Sequence, residues 1–464
     1  MHRKMILVRR RRFLAGTLAA AGALALRGRR ARAAAPVFSR LLVVNASGGL
    51  RSTAAFNAKP QGDANPWGPA GTSGVLTLGS LLSSAPADLR FAAPSWPGAP
   101  TVPGIASAAA SFAMIGGCDH APGLHRQGDH PDETPRMGTG YFGKPSAPGV
   151  MTVINRHLGG DAPGPVAMIG GGGWLGNAVA DWVAHAPVSL EYYGLPPAPP
   201  TGGSPTVGRP IEDALDERFR SGRRSLGKTR ADAYWATKDA LRRYGPVLAD
   251  PALKVGQVGA LDTDLGGVTN RMLLEAMGND LASGGTGEPM GVRAAMGIRL
   301  LQMGSPAVTV NLGGFDLHDG EDVGAPAVYT LYARLLAGIH FALANTLDED
   351  GMPLLATTLV VTTSECSRTA PSGGFNDAGG SDHGGEDPAW RWQSHVVFGA
   401  GVTPKVLAPT DDENVPQDGV GVSTQALLAT LCEGLGVDAD ATAELWPPGS
   451  ELYPEAAPMM ELFD

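Results

Sequence analysis

Cysteine is scarce in this chain of 464 residues. Cys118, Cys366 and Cys432 leave at least one thiol unpaired, and no CxxC pair is present, so a disulfide-stapled scaffold and a structural zinc knuckle are both excluded. Positive charge is short as well. With 36 Lys and Arg against 45 Asp and Glu, the net charge of -9 argues against nucleic acid as the main partner. Aromatic residues make up a modest 6%. Past the N-terminal region, no long apolar run reads as a membrane span.

What is abundant is glycine and proline, at 65 and 38 residues, interleaved with apolar segments in a chain that is 43% hydrophobic. That combination indicates long ordered loops between buried elements rather than disorder. The length suits one large α/β domain or two ordinary ones.

The N-terminus reads as an address. In "RRRRFLAGTLAAAGALALRGRRARAAAP" an arginine cluster precedes Phe13-Leu14, a weakly apolar run to Leu26, and a second basic stretch ending in small residues. This order fits a twin-arginine signal with Arg10-Arg11 as the pair and cleavage near Ala33 to Ala35. The alternative is an N-terminal anchor, but about 13 apolar residues fall short of the roughly 20 that span a bilayer core. The expectation is therefore a signal over 1–35, removed on export by the twin-arginine translocase to the periplasm or beyond, with no stable membrane span afterwards.

The rest, 36–464, reads as one domain. Apolar runs at "LLVV" (41–44), "GPVAMIG" (164–170), "PAVTVNLGG" (306–314), "TTLVVTT" (357–363) and "QSHVVFGAG" (393–401) are buried-strand candidates. Helical patterns cover 211–244, 331–345 and 423–434. Alternation of the two implies an α/β/α sandwich around a mostly parallel sheet. A proline-rich connector begins at Pro196 and leads into a helical insertion, together 196–245.

Ligands of open parallel sheets bind beyond the carboxyl ends of the strands. Three strand ends here carry polar clusters: Asn45 to Gly49, Gly314 to His318, and Ser364 to Arg368. Asp316, His318, Glu365, Asp382 and His383 have the chemistry for one divalent ion, zinc or similar, because imidazole and carboxylate suit such metals. The plainer alternative makes Asp316 and Glu365 strand-end caps and His383 a solvated loop residue. Arg368 either clamps an anion or pairs with Glu365 or Asp382. Ser47 and Ser52 follow the first strand, where a nucleophilic hydroxyl would sit. Cys366 needs a neighbouring cation to react, and otherwise is a buried thiol. In Gly116 to Gly143, His120, His125 and His130 recur every five residues, a spacing for neither helix nor strand. That loop supplies a ligand or a substrate contact through His120, or is a histidine-rich surface.

Taken in order, these segments resemble the DUF1501 family of exported bacterial proteins. "SGGLRSTAAFNAKP" is similar to its GGPSQxDxFDxKP, "RMGTG" to its MHTG, and "NLGGFDLHDGE" to a strand ending in GWDTH. "TTLVVTTSECSRT" is similar to the segment ending in TEFGRT, "GSDHGG" to GRDH, and "MMELFD" to the closing tail. The resemblance implies an alkaline-phosphatase-like sandwich in which metals at the sheet's carboxyl edge polarise a phosphate or sulfate ester, carried on a small molecule or a polymer, for a hydroxyl nucleophile. By motif, Asp316 and His318 take the Asp and His of GWDTH, Glu365 the Glu of EFGRT, and Asp382-His383 the DH pair. Some positions depart from the pattern. The family's Asp in GGPSQxD falls on Ala54, the superfamily's first-strand Asp near Ser47, the Phe-Gly of EFGRT on Cys366-Ser367, and the Thr of WDTH on Leu317. About one good metal site is left of a two-metal clamp. The resemblance thus leaves a metal-dependent hydrolase or a non-catalytic binding or assembly protein with a degenerate site.

Overall fold

The apolar run that opens the domain becomes the centre of the sheet. The computed structural model describes residues 36–56, 90–119, 149–170, 185, 187–190, 243–282, 284–364, 367–368, 379–380, 392–411, 414–437 and 458–464. The expected signal over 1–35 and most of the 196–245 connector lie outside them. β1 (Arg40–Ala46) is buried throughout. Its side chains alternate between two cores, Leu42, Val44 and Ala46 entering one, Leu41 and Val43 the other, as successive strand residues must. A strand apolar on both faces requires cover on both.

The strands after it are β2 (Phe91–Ala92), β3 (Thr101–Val102), β4 (Ala113–Asp119), β5 (Ala167–Ile169), β6 (Val188–Leu190), β7 (Asp264–Leu265) and β8 (Val268–Thr269). Then come β9 (Ala307–Leu312), β10 (Thr358–Ser364), β11 (Trp392–Gly399), β12 (Val406–Leu407) and β13 (Val422–Ser423). β2 pairs with β3 and β7 with β8 as separate ribbons. The central sheet runs β12-β4-β11-β10-β1-β9-β5-β6, with β13 also on β4. The helices are α1 (Ser52–Ala55), α2 (Ile105–Ala109), α3 (Val150–Leu158), α4 (Asn270–Ala276), α5 (Pro289–Gln302), α6 (Glu321–Asn345), α7 (Leu354–Thr357) and α8 (Thr424–Gly434). α4, α5 and α6 pack on the Leu42–Val44 face, and α3 and α8 on the Leu41–Val43 face. The result is an α/β sandwich, and the described strands form no closed barrel.

All five expected strands form within a few residues of their predicted limits. β4 was not predicted, because Gly116 and Gly117 interrupt its apolar pattern. Those glycines admit a crossing segment: a Cβ at Gly116 would stand 2.7 Å from the Ala408 carbonyl oxygen, and one at Gly117 2.6 Å from Pro416. α6 begins ten residues before the expected Leu331, since Gly324 and Pro326 near its start read as helix breakers. It is also long and apolar enough to cross a membrane, by length and composition alone, yet most of it is buried in the core. α8 starts where expected, because the Ser423 hydroxyl accepts the Ala426 N–H at 3.1 Å.

Strand directions decide where the site lies. β10, β1, β9 and β5 are parallel neighbours. β11 runs antiparallel to both β10 and β4, so β4 points the same way as β10. The carboxyl ends of β4, β10, β1, β9 and β5 therefore share one edge, and β11 starts there, with Trp392 opposite Asp119.

One helix crossing is tight enough to test. A Cβ on Gly338 of α6 would overlap the Ala276 carbonyl oxygen at the end of α4. Gly338→Ala is expected to cost about 1–3 kcal/mol by overpacking, despite alanine's better helix propensity. Urea unfolding would show it, and an unchanged or higher midpoint would refute it.

Candidate functional site

β1 is followed by Ser47-Gly48-Gly49, with φ of +105° at Gly48 and +98° at Gly49. Gly48 must lack a side chain for a second reason: a Cβ there would overlap the backbone and Cβ of Asp316. The turns after β1 and β9 are thus in contact. The segment after β10 joins them through Ser364, whose hydroxyl donates to the Ala46 carbonyl at 2.9 Å and accepts the Leu50 N–H at 2.8 Å. Leu50 bridges Ser367, and the Arg368 N–H donates to the Leu50 carbonyl at 3.3 Å. Arg368, only 2% exposed, then sends Nη2 to the Gly48 carbonyl at 2.5 Å and to Asp316 Oδ1. One guanidinium holds three strand-end turns together.

Asp316 and His318 stand on the turn rather than on a strand, since β9 stops at Leu312. The His318 Nε2 lies 3.2 Å from Asp316 Oδ1, and the two side chains are 44% and 60% exposed. Gly379 and Gly380 seat against this turn. The Asp322 N–H donates to the Gly379 carbonyl at 2.9 Å, and a Cβ on Gly380 would overlap the His318 carbonyl oxygen. Glycine thus allows a close backbone approach here, two residues ahead of Asp382 in sequence.

A buried ion pair lies in the turn after β1 and at the start of α6. Arg51 meets Glu321 in a fork, Nε to Oε1 at 2.9 Å and Nη2 to Oε2 at 2.8 Å. Both residues are 0% exposed. The Arg51 N–H donates to the Tyr329 hydroxyl at 3.2 Å. Burial, with the Glu321 carboxylate alongside, pushes that phenol above its ordinary pKa and keeps it protonated. On the other face of the sheet, Asn45 Nδ2 donates to Asn311 Oδ1 at 2.9 Å and to Ser47 Oγ at 3.3 Å.

Of the residues expected from sequence, Ser47, Arg368, Asp316 and His318 meet at this edge. Ser47 is half-buried. Ser52 differs: it is 2% exposed within α1, and its hydroxyl accepts the Ser394 N–H at 3.0 Å, so it serves packing between α1 and β11. The described acidic partner of Arg368 is Asp316. Ala54, in α1, is fully buried. His120, Glu365, Cys366, Asp382 and His383 lie outside the described residues; Asp119, immediately before His120, ends β4 at the same edge. The other two cysteines are free and buried, with burial pushing the Cys118 thiol up to about 12 and raising that of Cys432, so both are inert.

Among the described residues no three of His, Cys, Asp and Glu gather as metal ligands. Asp316 and His318 supply one carboxylate and one imidazole, which is half of a four-coordinate site. The fit to a divalent ion is therefore partial and depends on Glu365, Asp382 and His383.

Sequence reasoning missed Arg51, Glu321, Asn311 and Arg293. Arg51 and Glu321 each follow a glycine turn by one or two residues, a local signal, but nothing local pairs residues 270 apart. Arg293 sits in the first turns of α5, and its Nη1 donates to the Asn311 carbonyl at 2.8 Å.

The family described as "Protein of unknown function (DUF1501)" matches residues 39–445. No curated protein and no solved structure matches the chain.

Proposed function

That the chain belongs to the DUF1501 family is the premise from which we propose an exported, metal-dependent hydrolase of phosphate or sulfate esters. The observation that carries this reading is the Asp316–His318 pair at the shared carboxyl edge, with Gly379-Gly380 seated on its turn. Covalent reach supports the remaining ligands. At no more than about 3.6 Å per residue, Asp382 and His383 follow closely on the anchored Gly380, and Glu365 is bonded to Ser364 of β10. A divalent ion would be held by Asp316, His318, Glu365 and His383, with Asp382 as a further ligand or behind them, and would supply Lewis-acid polarisation of the ester oxygens.

Ser47 is the better nucleophile of the two serines, because it is half-buried at the edge while Ser52 is enclosed. Asn45 donates to the Ser47 oxygen, which directs the serine proton away from that amide. His120, the next residue in sequence after β4, is assigned to substrate contact in this reading. The twin-arginine translocase carries the protein out, to the periplasm or beyond, where its ester substrate is a small molecule or a polymer.

Metal analysis of the purified protein and an aryl phosphate and sulfate panel test the reading together. His318→Ala and Asp316→Ala are expected to lower metal affinity and turnover by at least about 10–100-fold, the cost of disturbing even an outer-shell partner. Metal-loaded protein that turns over no ester, with neither variant changing metal content, would sink it.

A second reading is favoured by Ala54. Where the family pattern has an aspartate, this chain places a buried methyl group. A non-catalytic binding or assembly protein with a degenerate site would then show no metal, or a closed one whose removal lowers stability alone.

A further inference from the structure

The last side chains on one face of the sheet, before its carboxyl edge, are polar across three strands. Asn45 of β1 stands in register with Thr363 of β10 on one side and with Asn311 of β9 on the other. By the alternation of a strand, all three share the face on which Leu41, Val43, Ala307, Leu359 and Val361 pack. Asn45 and Asn311 are only 9% and 7% exposed. Two nearly enclosed amides add nothing to the packing of an apolar face, because each must find partners for its polar atoms.

Their hydrogen bonds lead to one serine. Asn45 Nδ2 donates to Asn311 Oδ1 at 2.9 Å and to Ser47 Oγ at 3.3 Å, which uses both of its hydrogens. Turned over, the Asn45 amide would set its oxygen against that of Asn311, so the donor end is the one that faces Ser47. The Asn45 Oδ1 is left buried without a hydrogen-bond partner. An unanswered acceptor costs stability, and what the arrangement retains for that cost is an aimed N–H. Asn311 is braced in turn, since its carbonyl accepts Arg293 Nη1 at 2.8 Å. The Ser47 main chain is fixed as well, its N–H donating to the Leu312 carbonyl at 2.8 Å. Ser47 itself remains half-buried, whereas Ser52 is enclosed.

We propose that Asn45, oriented by Asn311, is the positioning residue of Ser47 and sets this serine apart as the reactive hydroxyl of the edge. A donor aimed at Oγ stabilises negative charge as it develops there. It also leaves the serine hydrogen pointing elsewhere, free to pass to a base. The part this plays in ester cleavage rests on the hydrolase reading; the heightened reactivity of Ser47 does not.

Covalent labelling of the exported full-length chain with a fluorophosphonate, read at Ser47 by peptide mass spectrometry, tests the assignment without any turnover. In that reaction the Ser47 Oγ–P bond forms and the P–F bond breaks; fluoride leaves and the hydroxyl proton passes to solvent. Wild type is expected to be labelled at Ser47 in preference to Ser52. Asn45→Ala is expected to lower the maximal labelling rate by about tenfold, the worth of one hydrogen bond, with the half-saturating reagent concentration unchanged. A merely structural loss would move both quantities. Asn311→Ala leaves the Asn45 amide in place without its orienting acceptor. It is expected to slow labelling by about threefold, so the proposal stays testable should the Asn45 variant fold poorly. Equal maximal rates in the three proteins would overturn it, as would a wild type unlabelled at Ser47. Ester turnover with Ser47 unlabelled would overturn the assignment and leave the hydrolase reading. Labelling that depends on Asn45, in a protein that turns over no ester, would remove the hydrolase reading and leave the assignment standing.

Discussion

Replacing Arg51 by methionine is expected to lower stability by about 3–5 kcal/mol, because the Glu321 carboxylate is left buried without its cation. Both residues are 0% exposed, and two bonds of 2.9 and 2.8 Å join them. The pair ties the turn after β1 to the first residue of α6, a few residues after Asp316 and His318 in sequence. Breaking it should therefore disturb the site as well as the fold. A compensating double variant separates charge from shape. Arg51→Met with Glu321→Leu is expected to recover most of the loss, since apolar groups of similar volume replace buried ion pairs at little cost. Urea unfolding of both variants, with slopes compared, gives the answer. A single variant within about 1 kcal/mol of wild type would mean the carboxylate is not confined as described.

The second large effect is on acid stability, through His395 on β11. This imidazole is 3% exposed, and its Nδ1 lies 2.8 Å from the Thr362 carbonyl oxygen, which makes Nδ1–H the donor of the neutral ring. Burial lowers its pKa to about 4, against a small upward pull from the Thr362 bond. The unfolded imidazole takes up its proton near pH 6.5, whereas the folded one stays neutral until about pH 4. Stability from this residue is therefore intact above pH 6.5 and falls as the pH drops towards 4. The shift corresponds to about 3 kcal/mol. His395→Gln keeps a donor for Thr362 without a titrating ring. Its stability should decline less than that of wild type between pH 6.5 and 4, and parallel curves would refute the assignment.

Much of this architecture was legible in the residues. Continuous apolar runs such as Leu41 to Val44 and Leu359 to Val361 identify strands buried on both faces, because no other short element hides every side chain. The polar clusters that end them gather at one edge, since parallel neighbours must bring their carboxyl ends together. What was illegible has physical causes. β4 was hidden because glycines needed for a close crossing erase its apolar pattern. The start of α6 was hidden because a proline and a glycine near its first turns read as a break. The enclosure of Ser52 was hidden because the Ser394 amide that engages it belongs to a strand more than 300 residues away.

The sequence by itself determined the α/β class, the polar clusters at the strand ends, and the family to which the chain belongs. These depend on local pattern, where the period of apolar residues and the glycine turns speak directly. Only the tertiary structure decided how the charges are used. Arg51 answers Glu321, Arg368 answers Asp316, and Arg293 braces the Asn311 carbonyl. Charge pairing is settled by which side chains the packed sheet brings within a few ångströms, and no local spacing encodes that choice.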